Sequence, residues 1–257
     1  MIDPKRHGQD RWSDDLLLIA ARAPMAGQTK TRLGATIGME RAALLYAAFL
    51  RDLFSRFMTA RRRFDVGWAY TPATCDFVQA LAAVGCGPSP DRVRLVPQHG
   101  EGWGERQANL LHWGREVGYA RTILIASDSP QLSLQAIEEG FVSLRHADVA
   151  LARTLDGGYS LIGMRGYHDV LSGVPMSTAS AAEAIAIRCG ALKLVLADLP
   201  TTFDVDEEAD LRVLYAALAP DGGAAPETWQ ALQSLGLVRE LDLTVVRGAP
   251  LAKHGVA

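Results

Sequence analysis

Cysteine is scarce in this sequence, and long apolar runs are missing from it. The chain has 3 cysteines among 257 residues, Cys75, Cys86 and Cys189, and none of them forms a CxxC pair. An odd set without that spacing argues against a disulfide framework and a zinc site, and is typical of a reducing compartment. No apolar run approaches the roughly 18 residues that a membrane span requires. The N-terminal "MIDPKRHGQDRWSDD" is too polar for a signal peptide, so we expect a cytoplasmic protein without membrane contacts.

The sequence also lacks a basic excess. Its 26 Lys and Arg residues face 29 Asp and Glu residues, for a formal net charge of -3. Proteins that bind nucleic acid or membrane surfaces draw on excess positive charge, so we expect neither partner. The short basic run 61–63 follows a helical pattern and is interpreted as a helix C-terminus. The 6 histidines show no metal-ligand spacing, and no Ser-His-Asp signature is present.

Short apolar runs of β type alternate with longer helical patterns along the chain. The predicted strands span 16–20, 64–70, 92–98, 121–127, 147–154, 159–164 and 192–199, and the predicted helices span 39–59, 74–84, 105–117, 133–144, 179–188 and 207–218. Such alternation predicts one α/β domain whose mostly parallel sheet is covered by helices. We place this domain at 15–218, after a flexible tail, 1–14, and before a C-terminal extension, 219–257, that packs as a helix plus a strand or frays. In open sheets of this kind, ligands bind beyond the carboxyl ends of the strands.

The loop after the first strand carries a glycine and two cations. It reads "APMAGQTKTRL" and is not a Walker A loop, because Thr29 rather than glycine precedes Lys30. Gly27 lets the backbone approach a ligand closely, while Lys30 and Arg32 supply a point charge and a planar fork for phosphate oxygens. The loop therefore predicts an anion site, and an ordinary basic surface loop is the alternative.

Carboxylates follow three later strands. Asp128 in "SDSPQL" is well placed to hold a divalent cation on a nucleotide phosphate, although this composition is also typical of turns and helix caps. Asp156 in "LDGGYSLIG" precedes two glycines, which is typical of a hairpin turn. Asp204 and Asp206 in "FDVDEEADL" share one side of an extended segment, where a cation would relieve their repulsion. Asp206 is also interpreted as a cap of the following helix, and both interpretations can hold at once.

Together, these segments and "GERQ" occur in the order found in a bacterial family of GT-A-type transferases. Over about 16–214 the chain resembles the radical-SAM/selenodomain-associated or arsenosugar-biosynthesis glycosyltransferases. More distantly it is similar to the molybdenum-cofactor and 2-phospholactate nucleotidylyltransferases. The chain departs from the family pattern in having Ser-Asp-Ser at 127–129 instead of Asp-x-Asp, "PMST" at 175–178 instead of a Trp-Ser-Thr stretch, and Gly102 at a commonly acidic position.

The resemblance implies a Rossmann-like nucleotide-diphospho-sugar transferase fold and a set of residue roles. The nucleotide phosphates would be bound by Gly27, Thr29, Lys30 and Arg32. Mg²⁺ or Mn²⁺ would be bound by Asp128, Asp204 and Asp206. The acceptor or sugar would be bound by Arg106, Asp156, Gly157, Gly158 and Tyr159. The candidate catalytic residues are Lys30, Arg32 and Asp128.

The activity that the resemblance implies is metal-dependent glycosyl transfer from a nucleotide-diphospho-sugar donor to a small-molecule acceptor. One alternative is a nucleotidylyltransferase that moves NMP from an NTP to a small phosphorylated acceptor. Another is a nucleotide-binding module without catalysis, because fold alone does not determine function. The sequence implies no particular oligomeric state.

Overall fold

The computed structural model describes residues 11–59, 62–87 and 93–243. The first half of the chain contains β1 (Asp15–Arg22), α1 (Thr31–Ile37), α2 (Met39–Phe54), β2 (Asp65–Thr71), α3 (Phe77–Ala83), β3 (Arg94–Pro97), α4 (Trp103–Glu116) and β4 (Arg121–Ala126). The second half contains α5 (Leu134–Ser143), β5 (Val149–Thr154), β6 (Tyr159–Arg165), α6 (Ala181–Ala191), β7 (Leu196–Thr202), α7 (Glu208–Leu218), α8 (Pro226–Ser234) and α9 (Leu237–Glu240). Arg61 of the basic run, most of the predicted tail 1–14, and 244–257 of the extension lie outside the described residues.

The strands form one seven-stranded sheet in the order β3-β2-β1-β4-β6-β5-β7. Strand β1 lies next to the middle strand, β4, and pairs in parallel with both β2 and β4. Strand β6 is antiparallel to β4 and β5, and β7 is parallel to β5. The predicted single α/β domain with a mostly parallel mixed sheet is thus confirmed.

Strand β1 is buried on both faces, as its unbroken apolar run indicates. Leu17 and Ile19 enter the core on one face, whereas Leu16 and Leu18 enter the core on the other. Phe49, on the apolar stripe of α2, is fully buried in the first of these cores. Each large apolar side chain buried in this way contributes about 1.5–3 kcal/mol to folding. The cores hold β1 and β4 in the register that sets the position of their carboxyl ends.

The predicted elements differ from the structure at their ends, most of all one helix and one strand, and α1 was not predicted. The α-helix predicted over 39–59 ends at Phe54 and continues as a π-helical turn, Ser55–Thr59. The strand predicted over 192–199 begins only at Leu196, because α6 runs on to Ala191 and needs a turn before the chain can extend. Lys193 takes a left-handed conformation in that turn, with φ 57°. Apolar composition alone did not indicate this turn.

The described part of the C-terminal extension forms helices that pack on the domain. Pro226 begins α8, a position where its missing N–H costs nothing. The buried carboxylate of Asp52 on α2 accepts hydrogen bonds from the backbone N–H groups of Glu227 and Thr228. The rings of Tyr215 and Trp229 stack with centroids 4.9 Å apart. Helix α8 is therefore joined to α2 by polar contacts and to α7 by an aromatic contact.

Across 11–59, 62–87 and 93–243, none of the helices combines the length and apolar character needed to cross a bilayer.

Candidate active site

A cavity of about 490 Å³ opens where β1 and β4 end. Its lining comes from the loop after β1, the residues that follow β3 and β4, the start of α4, the β5–β6 hairpin, the segment before α6, and the segment after β7. Ligands of open α/β sheets bind at this edge, because the parallel strands direct their following loops toward it.

A lysine lies between two carboxylates at one side of this cavity. The Nζ atom of Lys30 is 2.6 Å from Oδ2 of Asp128 and 2.9 Å from Oδ1 of Asp206. Only 6% of the lysine side chain is exposed. Burial disfavours its ammonium form, but Asp128 and Asp206 outweigh that effect and raise the pKa of Lys30 above its ordinary value. Lys30 is therefore a buried, charged group held by two aspartates.

Arg32 extends this cluster toward the solvent. Its guanidinium donates to Oδ2 of Asp206, and it lies 3.5 Å from Oε1 of Glu207. Its side chain is 62% exposed. The exposed guanidinium can therefore reach an anion at the mouth of the cavity while retaining its contact with Asp206.

Asp204 lines the cavity and, within the described chain, has no Lys or Arg side chain at salt-bridge distance. Burial, followed by repulsion from Asp206, Asp156 and Asp128, raises the pKa of its carboxyl to about 6. The segment after β7 thus places Asp204 in the field of three other carboxylates. An added positive charge would favour its ionised form.

The turn that carries Asp128 is fixed by its neighbours. Ser127 and Ser129 are fully buried; the Ser127 hydroxyl lies 2.7 Å from the hydroxyl of Tyr46, and Ser129 donates to the carbonyl of Phe203 at 3.0 Å. The N–H of Val205 donates to the carbonyl of Asp128 at 3.1 Å. The two serines therefore support the turn and leave Asp128 as its cavity-facing carboxylate.

Tyr46, on α2, links the turn after β4 to the end of β1. Its hydroxyl accepts a hydrogen bond from the N–H of Arg22 at 3.0 Å. Burial, then the negative charge of Asp128, raises the pKa of Tyr46 to about 12. The hydroxyl thus remains neutral and keeps the loops after β1 and β4 in a fixed relative position.

Asp206 does not cap the helix that follows it, so that interpretation of the sequence is wrong. Glu207 occupies the N-cap position of α7. The side chain of Asp210 accepts hydrogen bonds from the N–H groups of Asp206 and Glu207, both at 2.8 Å. Because Asp210 satisfies these donors, the carboxylate of Asp206 is available to the cavity.

The loop after β1 is stabilised by its own side chains. Thr29 is buried, and its hydroxyl donates to the carbonyl of Ala23 at 2.9 Å and accepts from the N–H of Met25 at 3.2 Å. Gly27 adopts a left-handed conformation with φ 75° and lies outside the cavity lining, whereas Thr29 is part of it. These two residues shape the loop that presents Lys30.

The β5–β6 hairpin, together with the start of α4, forms another part of the cavity wall. Oδ1 of Asp156 accepts a hydrogen bond from the hydroxyl of Thr154 at 2.5 Å and from the N–H of Gly158 at 3.0 Å. A Cβ atom on Gly157, whose φ is 88°, would lie 2.0 Å from the carbonyl oxygen of Ala179. This segment is therefore a hairpin turn, and its Asp156 lines the cavity. Gly157 lies outside the lining, where it lets the turn pack closely against Ala179.

Tyr159 and Arg106 complete this wall. The Tyr159 hydroxyl accepts from Nε2 of Gln107 at 2.8 Å and lies 3.4 Å from the sulfur of Met176. Nε of Arg106 donates to the carbonyl of Gly100 at 2.9 Å. Within the described chain, no carboxylate lies at salt-bridge distance from Arg106. Its guanidinium is thus oriented by the backbone rather than neutralised by an acid.

Several lining residues were not predicted from the sequence. They are Tyr46, Gln98, Gln107, Ser160 and Met176. Gln98 follows β3 directly, so a search of all strand ends would have found it. Ser160 is 3% exposed, and its hydroxyl has no hydrogen-bond partner among the described residues. Gln107, Ser160 and Met176 lie within "GERQ", "LDGGYSLIG" and "PMST" but were given no role in the site, because tertiary packing rather than local sequence brings them to the cavity.

The carboxylates suit a divalent cation that is shared with a ligand. Oxygen donors are preferred by Mg²⁺, which usually takes one or two carboxylates and completes its shell with water and phosphate. Asp128 and Asp206 supply such donors, with Asp204 close by. In the part of the chain that the structure describes, however, no three His, Cys, Asp or Glu side chains form a group that could hold a metal ion. The residues therefore fit a cation that arrives with phosphate oxygens better than a cation held by protein alone.

Comparisons with known proteins relate both the sequence and the fold to transferases. Residues 58–178 match a family described as an uncharacterized protein conserved in bacteria, DUF2064. No curated protein matches the chain. A crystal structure of a candidate nucleotide-diphospho-sugar transferase from Desulfovibrio desulfuricans G20 is 28% identical and has a TM-score of 0.80, with 89% of this chain and 98% of that chain covered.

A more distant structure shares the fold. The 4-diphosphocytidyl-2C-methyl-D-erythritol synthase from Anaerococcus prevotii is 10% identical, with a TM-score of 0.50 over 80% of this chain and 97% of that chain. The likeness to the Desulfovibrio protein extends over nearly all of both chains. The chain thus has the fold of a candidate nucleotide-diphospho-sugar transferase.

Proposed function

We propose that the protein is a metal-dependent glycosyltransferase that uses a nucleotide-diphospho-sugar donor. The observation that carries the proposal is the convergence of Lys30, Asp128 and Asp206 at the carboxyl ends of β1 and β4, with Arg32 on the rim. This arrangement offers cations for phosphate oxygens and carboxylates for a metal in one place. The fold and the 28% identity to a candidate nucleotide-diphospho-sugar transferase support the same conclusion.

The two cations act on the leaving group. When the bond between sugar and nucleotide breaks, negative charge grows on the nucleoside diphosphate. Lys30 and Arg32 donate hydrogen bonds to its phosphate oxygens and stabilise that charge. Lys30 first exchanges Asp128 and Asp206 for these oxygens, while exposed Arg32 needs little rearrangement.

The carboxylates bind the cation that accompanies the donor. Asp128 and Asp206 would hold Mg²⁺ or Mn²⁺, with Asp204 as a further donor. When bound, such an ion supplies Lewis-acid stabilisation of phosphate charge. Arg106, Asp156 and Tyr159, on the part of the wall formed by α4 and the β5–β6 hairpin, orient the acceptor.

Nucleotidyl transfer is the second candidate, and one observation favours it. Ser127 and Ser129 are buried structural residues, so the turn after β4 presents Asp128 alone and the site relies on the Asp204–Asp206 segment. In that chemistry, a phosphorylated acceptor attacks the α-phosphate of an NTP, and pyrophosphate leaves.

Thermal shift with NTPs and nucleotide-diphospho-sugars, each with and without Mn²⁺, tests the proposal, because ligands of the folded state raise the unfolding midpoint. We expect a metal-dependent shift with a nucleotide-diphospho-sugar. We also expect its loss in Asp128→Asn, but not in the control Asp169→Asn, whose exposed carboxylate lies against Arg188.

Release of nucleoside diphosphate or of pyrophosphate then separates the two chemistries. If no nucleotide shifts the midpoint, the proposal is wrong. Binding without turnover over a broad acceptor panel would instead identify a non-catalytic module.

A further inference from the structure

The ammonium of Lys30 occupies the position that a bound cation would take between two carboxylates. Its Nζ atom lies within 3 Å of one oxygen each of Asp128 and Asp206. The side chains of the two aspartates remain 28% and 32% exposed, so both can still be approached from the cavity. A positive charge is therefore already present in the acidic site of the free protein.

The backbone of Lys30 shows that this position is specialised. The residue has φ 51° and ψ 47°, a left-handed conformation that is uncommon for residues other than glycine. Such conformations cluster at functional sites, where the surrounding structure maintains them. The Lys30 carbonyl also accepts a hydrogen bond from the N–H of Gly34 at 2.7 Å, which ties the residue to the first turn of α1. Helix α1 thus holds the Lys30 main chain in place and leaves the side chain as the part that moves.

The two aspartates differ in how strongly they depend on Lys30. Asp206 also pairs with Arg32, whereas Asp128 has no other salt-bridge partner among the described residues. A divalent cation and the ammonium cannot share the same carboxylate oxygens, because two positive charges a few ångströms apart repel each other. Binding of a metal to the carboxylate oxygens that Lys30 contacts therefore requires Lys30 to leave, and removal of a buried ammonium from its partners is costly unless another anion replaces them.

We infer that Lys30 is a resident counter-cation, which a nucleotide phosphate draws away from Asp128 and Asp206, so that nucleotide and divalent cation bind cooperatively. The inference rests on the proposed function, in which the phosphate comes from the donor. The coupling is reciprocal: the nucleotide increases the affinity for the metal by the same factor by which the metal increases the affinity for the nucleotide. Metal alone binds weakly, since it must displace Lys30 without supplying a new anion.

Binding of Mn²⁺ alone tests this inference without any activity measurement. The electron paramagnetic resonance signal of free Mn²⁺ gives its affinity for the nucleotide-free wild-type protein and for Lys30→Met. We expect affinity to rise roughly 5- to 150-fold in Lys30→Met, the range typical of coupled sites. The matched control is Lys193→Met, because Lys193 is exposed and has a left-handed backbone with φ 57° far along the chain, between α6 and β7. This control should bind Mn²⁺ like the wild type, and equal affinities in wild type and Lys30→Met would overturn the inference.

Two further measurements guard against misfolding and against failure of the proposed function. Lys30→Gln keeps a polar side chain and should show the same rise in Mn²⁺ affinity if Lys30→Met fails to fold. In the wild type, Mn²⁺ with UDP or CTP should raise the unfolding midpoint by more than the sum of their separate shifts, and this excess should shrink in Lys30→Met. An undiminished excess would contradict the inference while leaving nucleotide binding intact. If neither nucleotide shifts the midpoint, the proposed function is in question, and the comparison with Mn²⁺ alone still decides the role of Lys30.

Discussion

Replacement of Asp52 by alanine should strongly destabilise the protein, although this residue lies outside the cavity. Oδ1 of Asp52 accepts from the N–H of Glu227 at 3.0 Å. Oδ2 accepts from the N–H of Thr228 at 2.8 Å and from its hydroxyl at 2.6 Å. Helix α8 begins at Pro226 without a side-chain cap of its own, so a carboxylate on α2 serves that role.

The expected loss follows from these three contacts. Hydrogen bonds to a charged group contribute about 1.5–3 kcal/mol each. Thr228 is fully buried, so its N–H and hydroxyl would lose their partner, whereas the N–H of half-exposed Glu227 could be hydrated. We therefore expect Asp52→Ala to reduce the free energy of unfolding by about 3–5 kcal/mol. At about 2–4 °C per kcal/mol for a chain of this size, the midpoint should fall by roughly 6–20 °C.

Urea and thermal unfolding followed by circular dichroism measure this loss. Asp52→Asn retains one acceptor oxygen and should lose less, about 1–3 kcal/mol. The control Asp221→Ala removes an exposed carboxylate that contacts the N–H of Gly223 in the turn before α8, and should stay close to the wild type. A loss below about 1 kcal/mol in Asp52→Ala would refute the reasoning, because the extension would then add little to the stability of the domain.

Three more outcomes can be measured. Gly157→Ala should cost at least about 2 kcal/mol, seen as a lower unfolding midpoint, because its Cβ would lie 2.0 Å from the Ala179 carbonyl oxygen at a left-handed φ; wild-type stability would contradict this contact. Ser160→Ala removes a buried hydroxyl that has no partner in the described chain, so the free energy of unfolding should stay the same or rise slightly. Turnover should fall, because this hydroxyl lines the cavity. A clear loss of stability would show that the hydroxyl is already hydrogen-bonded. Burial raises the pKa of Cys86 to about 11, so native protein at pH 8 should be labelled by a thiol reagent at Cys75 first, as mass spectrometry can show; faster labelling of Cys86 would contradict its burial.

The order of elements was predictable because burial leaves a strong periodic signal. The apolar run at 16–20 and the helical stripe formed by Leu45, Phe49, Leu53 and Phe57 both lie in the core as their patterns indicate. The second neighbour of β6 was less accessible, since Asp156 and its two glycines indicate a hairpin between β5 and β6 but not which strand lies on the other side of β6. The pairing of β6 with β4, in addition to its sequential neighbour β5, depends on long-range contacts.

The site was predictable where it follows strand ends and less so elsewhere. Lys30, Asp128 and Asp206 were selected because each follows a strand, and the structure brings the three together. That the lysine would lie between the aspartates was not foreseen, because side-chain pairing over 98 and 176 residues leaves no local pattern. Ser160 was missed for a related reason, since a serine in a strand is ordinary until packing isolates its hydroxyl.

The reversed direction of β6 has a consequence for how the site can diversify. Because β6 runs against its neighbours, its first residues, Tyr159 and Ser160, lie at the edge where the other strands end. The turn between β5 and β6 thus forms part of the cavity lining, whereas the charged cluster lies on the segments that follow β1, β4 and β7. Insertions or deletions in that hairpin should reshape the wall while β1 and β4 keep their register. In the proposed transfer reaction, exchange of the hairpin between relatives would therefore be a route to new acceptor preferences.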